Sequence, residues 1–332
     1  MDHLEQTETV IVKMSNSGLP YAVEDPFLWI MGMTRKKQSL KFAIIGAGMV
    51  GTAIGFLLKK AGHNITAMAD LSAAHLKRAR SYIGAVGFRY PAQAADFADY
   101  LLITTPDDCI GSVCEAIVDG SSVKGKTVFH MSGAGGLDLL QSSALAGATV
   151  ASIHPLQSFS SIDSAIANIP GSYFGVTASV GSKKTSADIV RDLQGIPIYI
   201  TPAQKPLYHA AACIASNYLV SLMSIVESIY LSIGFSEKDA RKAYLPLVYG
   251  SLNNIEKHGC ANALTGPIAR GDSGTVQKHI KAMACKLPAY APLYKELGMI
   301  AVKLARQKGT LSYDREKIIM GLLKGVKNEH AN

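Results

Sequence analysis

The sequence is short of several things that would have simplified its reading. Tryptophan occurs once in 332 residues, aromatics reach 7%, and charged side chains 17% against 48% hydrophobic. Low charge with that much apolar content excludes global disorder. None of the five cysteines (Cys109, Cys114, Cys213, Cys260, Cys285) forms a C-x-x-C pair, and no Cys/His cluster has zinc-ligand spacing. No metal site is therefore expected, and the odd cysteine count fits a reducing, cytoplasmic compartment. A basic leader is missing, since Asp2, Glu5 and Glu8 stand where positive charge belongs. No Lys/Arg stripe interleaves with aromatics. The net charge of +8 (33 − 25) therefore reads as tolerance of anionic small ligands, with no nucleic-acid partner. One uncharged run, 210–226, contains Ser216, Asn217, Ser221 and Ser224 and falls short of the roughly 20 apolar residues of a membrane span. A buried core helix and no membrane contact are expected there.

What is present is a regular alternation. Residues 1–38 hold the only tryptophan, Trp29, and show no sustained period, so they read as a flexible appendage; Met31 or Met33 would serve equally well as a start. Strands are predicted at 41–45, 64–69, 100–104, 127–131, 149–153, 173–177 and 197–200, with helices between them. That alternation implies a parallel sheet covered by helices on both faces. After Pro202 the period becomes helical throughout. The chain is expected to be α/β, with a doubly wound sheet domain over 39–202 and an all-α domain over 203–328 for substrate and dimerisation.

Gly46-Ala47-Gly48-Met49-Val50-Gly51 is a G-x-G-x-x-G string. It follows an apolar strand and opens a helix, the context in which the glycines allow a tight turn, close approach of a pyrophosphate and helix–strand packing. The free N–H groups of the helix start would meet the phosphates. Asp70, 19 residues beyond Gly51, stands where an acid holds the adenine ribose hydroxyls and repels a 2′-phosphate. This leans towards NAD over NADP; the alternative is a helix N-cap.

Ligands in such sheets lie at the carboxyl ends of strands. Three ends stand out: Thr104-Thr105-Pro106-Asp107-Asp108, His130-Met131-Ser132-Gly133, and His154-Pro155-Leu156-Gln157. Thr105 and Pro106 are expected under the cofactor, and Ser132 and His154 at the reacting centre. His130 has the alternative of a satisfied buried histidine, and Asp107 and Asp108 of turn chemistry. In the helical half, Lys205, His209, Cys213 and Asn217 recur every fourth residue and form one helix face. Arg270, in the turn-rich 264–272 segment, is a natural carboxylate clamp. Asp272 reads as a helix N-cap.

Taken together, these motifs resemble the Rossmann-like proteins that carry the uncharacterised C-terminal helical domain numbered 2520. The carriers are the glycine fingerprint, a His-x-Ser-Gly turn, His-Pro-Leu-Gln-Ser-Phe, Tyr-His-Ala-Ala…Ser-Asn-Tyr and Thr-Gly-Pro-Ile-Ala-Arg-Gly-Asp, across about residues 40–325. The family is similar in plan to ketopantoate reductase, pyrroline-5-carboxylate reductase and 6-phosphogluconate dehydrogenase. The resemblance implies an NAD(P)-dependent reductase of a small 2-oxo acid, ketopantoate first. The alternatives are a cyclic imine reductase and a non-catalytic nucleotide-binding partner protein. His209 is expected to donate the proton, with His154 second. Asn217 and Ser132 would orient the oxygen, and Lys205, Thr265 and Arg270 would hold substrate. Relatives often carry an arginine-bearing turn after the second strand, whereas this chain reads Ala69-Asp70-Leu71-Ser72. The lysine-to-asparagine spacing of four found in the dehydrogenases is also replaced by Lys205 and His209.

Overall fold

The computed structural model describes residues 38–325; the expectations for the leading segment lie outside them. Eight strands form one sheet: β1 Lys41–Ile45, β2 Asn64–Ala69, β3 Val86–Phe88, β4 Tyr100–Ile103, β5 Thr127–His130, β6 Thr149–Pro155, β7 Tyr173–Ala178 and β8 Ile196–Tyr199. Their order is β3-β2-β1-β4-β5-β6-β7-β8. The short β3, too brief to show a period, was not expected.

The strands read as continuous apolar runs because both faces are covered. Alternate residues feed two cores. Phe42, Ile44, Leu102, Phe129, Ile153 and Phe174 pack under the helices Met49–Lys60, Ile162–Asn168 and Lys183–Asp192. Ala43, Ile45, Leu101, Ile103 and Val128 face the helices Pro91–Ala95 and Ile110–Gly120. One direction departs from expectation: β7 runs antiparallel to β6, pairing His154 with Gly175, and only β7–β8 resumes parallel pairing. Apolar pattern alone carries no strand direction.

Beyond Pro202 all described residues are helical or connecting. A small separate core of Ile268, Val276, Val302, Ala305, Ile319 and Leu323 holds the helices Ser273–Lys286, Ala291–Lys308 and Tyr313–Lys324 together. The helix Glu237–Ala263 breaks at Gly259, whose φ of 73° is left-handed. The helical run Pro202–Ser232 corrects the expected core helix. It is long and apolar enough to cross a membrane by length and composition, with a mean hydropathy of 1.5, yet none of its apolar window is buried. Its last part, Leu219–Ser232, packs against the helix Glu237–Ala263, where Arg241 and Tyr244 meet Glu227.

Candidate active site

The glycine turn is built by its own backbone. Gly46 takes φ 105° and donates its N–H to Ala69 O at 2.8 Å. A Cβ on Gly46 would lie 2.8 Å from the Thr104 carbonyl carbon and the Thr105 nitrogen, and one on Gly51 would overlap Gly46 O. Thr104 Oγ1 ties β4 to the turn by donating to Gly46 O at 2.7 Å. Gly48, by contrast, has open space where a Cβ would stand. The helix Met49–Lys60 starts there with no side-chain cap and no acid in its first turn, so its leading N–H groups face an anion unopposed. Beside it, Thr105 Oγ1 is buried without a partner. An open glycine, an uncapped helix start and an orphaned hydroxyl together fit a dinucleotide.

Asp70 is not the helix N-cap. Ser72 caps the helix Ala73–Ile83 by accepting His75 N–H. The Asp70 carboxylate instead accepts Ala47 N–H and Ser72 N–H, each at 2.8 Å, and lies 3.3 Å from His75 Nδ1. It braces the glycine turn while keeping its charge at the end of β2.

A contiguous chain of contacts leads from there to the histidines. Asp107, beginning the turn after β4, accepts the Ser132 hydroxyl at 2.6 Å, and Ser132 Oγ in turn accepts Gly135 N–H at 2.8 Å. The one hydrogen of that hydroxyl is committed to Asp107, which corrects its expected role in orienting a substrate oxygen. Lys205 is likewise no free substrate ligand. Only 2% exposed, its Nζ donates to Ser132 O at 3.1 Å and Ser152 Oγ at 2.7 Å. Burial lowers its pKa to about 8, opposed by the Asp107 and Asp138 charges. It is a strut from the helical half to the ends of β5 and β6. His130 is a satisfied buried histidine: Nδ1 accepts Ser132 N–H at 3.1 Å, Nε2–H donates to Gly136 O at 2.9 Å, and burial lowers its pKa to about 4.

His154 and His209 do converge. Their ring centroids are 6.1 Å apart, and both face Gly133. A Cβ there would stand 2.6 Å from His209 Cδ2 and 2.8 Å from His154 Nε2. Burial, helped by the neighbouring His209 and Lys205 charges, pushes the pKa of His154 down to about 4. Cys213 Sγ lies 3.7 Å from His209 Nδ1. Asn217 does not extend this stripe as expected, because Ile214–Tyr218 is a π turn. Its additional residue rotates the following side chains off the Lys205–His209–Cys213 face. Asn217 is exposed, and among the described residues its side chain makes no hydrogen bond to the cluster.

Arg270 and Thr265 are exposed in the helical half. Arg270 ends the short helix Pro267–Arg270 and its carbonyl accepts Arg315, while Thr265 lines a separate cavity with His279 and Tyr294. Among the described residues no hydrogen bond or ion pair joins either side chain to His154 or His209. Asp272 is the N-cap expected, accepting Thr275 N–H at 3.0 Å. Among the described residues no group of His, Cys, Asp or Glu is arranged to hold a metal.

Sequence reasoning missed Tyr208. It lies three residues from Lys205, a spacing that shares a helix face as surely as four does, and its hydroxyl is 2.9 Å from His154 Nδ1.

This arrangement defines a Rossmann-like fold with a helical C-terminal region. Residues 31–155 match the Rossmann-like domain, and residues 172–300 match the domain of unknown function DUF2520. The second match begins ahead of β7, so the last two strands fall within it although the helical half starts at Pro202. Among solved structures, the chain is similar to a candidate NADP oxidoreductase of Bacteroides fragilis, with 18% identity, TM-score 0.66, and coverage of 80% of this chain and 98% of that one. A Thermotoga maritima protein gives 23% identity, TM-score 0.66, and coverage of 81% and 99%. A pyrroline-5-carboxylate reductase of Coxiella burnetii gives 17% identity, TM-score 0.54, and coverage of 82% and 99%. Curated protein sequences give no match.

Proposed function

We propose that this protein is an NAD(P)-dependent reductase of a small 2-oxo acid, with ketopantoate as the leading substrate. The observation that carries the reading is the convergence of His154 and His209 on side-chain-free Gly133, at the carboxyl ends of β5 and β6. When bound, the nicotinamide dinucleotide supplies a hydride to the carbonyl carbon. The uncapped N–H groups after Gly48 and the Thr105 hydroxyl hold its phosphates and ribose, and Asp70 favours NAD by repelling a 2′-phosphate.

Charge developing on the substrate oxygen needs an acid. His154, with its pKa near 4, is neutral at pH 7 and can only lend a hydrogen bond. We assign proton donation to His209, the other ring that faces Gly133. Lys205 and Asp107 fix the Ser132–Gly133 turn against both rings.

The unburied helix Pro202–Ser232 supports a homodimer, the second copy covering Leu207, Ile214, Tyr218 and Val220. The polar interruptions in that helix argue against a lipid environment. Arg270 and Thr265, remote from the histidines of their own chain, would then act from the partner on a substrate carboxylate. A cyclic imine is the second substrate reading, favoured by likeness in fold to the Coxiella burnetii enzyme.

Oxidation of NADH and NADPH against a panel of 2-oxo acids and cyclic imines decides between these substrates. Ketopantoate-dependent turnover supports the first reading and turnover on pyrroline-5-carboxylate the second. Tight cofactor binding without turnover on any member rejects both in favour of a nucleotide-binding partner protein. Gly48→Val should abolish NAD(P)H binding by fluorescence titration with an unchanged circular dichroism spectrum, because the valine meets only the space assigned to the pyrophosphate.

A further inference from the structure

His154 and His130 sit on adjacent strands with similarly lowered pKa values, yet their ring nitrogens are used differently. Both nitrogens of His130 are occupied by backbone groups. His154 has a partner on one side only, the Tyr208 hydroxyl 2.9 Å from Nδ1, with the rings edge to face at 86°. Tyr208 reaches this position because the neighbour of His154 across β6–β7 is Gly175, where a Cβ would stand 2.6 Å from the hydroxyl oxygen. A phenol is a stronger donor than acceptor, and a bare imidazole nitrogen accepts better than a phenol oxygen, so the hydroxyl gives its hydrogen to Nδ1. A neutral imidazole accepting at Nδ1 carries its hydrogen on Nε2. That edge faces Gly133, where the missing side chain leaves the N–H free.

We propose that Tyr208 is a positioning residue that locks His154 as the neutral Nε2–H tautomer, presenting a fixed hydrogen-bond donor to a carbonyl oxygen or imine nitrogen beside His209. The charged and titratable groups around the ring are His209 and Lys205 on the helix, His130 on β5 and Asp107 after β4. The substrate's part rests on the reductase reading; the tautomer does not, and it is read without substrate.

The experiment is long-range ¹H–¹⁵N correlation of the histidine rings in the full-length protein. Wild type should show His154 protonated at Nε2 and bare at Nδ1 from pH 8 to below 5. Tyr208→Phe, nearly isosteric, should mix the two tautomers and, with an active substrate, lower kcat by roughly tenfold, the worth of one oriented hydrogen bond. Cofactor affinity should stay unchanged. Gly175→Ala, which displaces the hydroxyl without removing it, should mix the tautomers in the same way and add nothing to Tyr208→Phe. Hydrogen on Nδ1 in wild type, or an Nε2–H signal that survives in Tyr208→Phe, overturns the proposal. If no substrate is turned over but the tautomer behaves as stated, the reductase reading fails and the assignment of Tyr208 stands.

Discussion

The two halves of this chain close their cores differently. In the sheet domain β1, β2, β4, β5 and β6 contribute to apolar layers on both sides, and residues such as Phe42, Ile44, Leu101 and Phe129 are wholly buried. In the helical half the bundle near the C-terminus has its own small core, but the helix that carries Lys205, Tyr208 and His209 leaves Leu207 80% and Val220 70% exposed. An apolar helix surface of that length is stable in water only when something covers it. The sheet domain is complete within one copy. The helix that brings the catalytic candidates is anchored at its first turn by Lys205 and near its end to the helix Glu237–Ala263 through Glu227, with much of its apolar surface between them exposed.

The comparison breaks most severely at the open helix. Leu207→Glu with Val220→Glu should dissociate the proposed dimer, weakening it on the order of 10³-fold through buried unpaired charge. Light scattering at micromolar concentration should change from dimer to monomer. A wild-type monomer at that concentration would remove the reason for the contrast.

Next in size is the anchored turn. His209→Ala should lower kcat by roughly 10²–10⁴-fold with cofactor affinity nearly intact, and His209→Gln should restore binding more than rate. Near-normal turnover in His209→Ala would move proton donation elsewhere, Lys205 being the next group to test.

A third test acts on the sheet domain. Burial holds His130 and His154 near pKa 4, below the ordinary 6.5. Between those values the unfolded chain takes up protons that the native state refuses. The stability they contribute is thus whole above pH 6.5 and lost as pH falls towards 4, by up to about 3 kcal/mol for His130. Denaturant titrations across that range should show the loss, and His130→Gln should flatten it.

The smallest effect concerns cofactor choice. Asp70→Arg should shift preference towards NADPH by about 1–3 kcal/mol. Removal of the brace on Ala47 and Ser72 should also weaken binding of both cofactors. A wild-type protein that clearly prefers NADPH would show that the carboxylate serves as a brace alone.

Much of this was legible in sequence. The glycine turn and seven of the strands rest on local period and on residue types with few other uses. So does the Asp272 cap. His154 and His209 were legible because a strand end and a helix face both restrict where a side chain can go. The roles of Lys205 and Ser132 were not, since nothing local reveals that an ammonium will be buried against a carbonyl 73 residues earlier in the chain. Asn217 was misplaced by a π turn, which no periodicity of four announces.

The sequence by itself determined the elements, their approximate limits and the glycine turn, because these depend on backbone preferences and apolar spacing within a dozen residues. Tertiary structure alone decided the direction of β7, the use of Asp70 as a brace, the partnership of Tyr208 with His154 and the exposure of the long helix. Each of those depends on which distant groups come within hydrogen-bonding or packing distance, a matter set by the closing of the whole fold and not by any one segment of it.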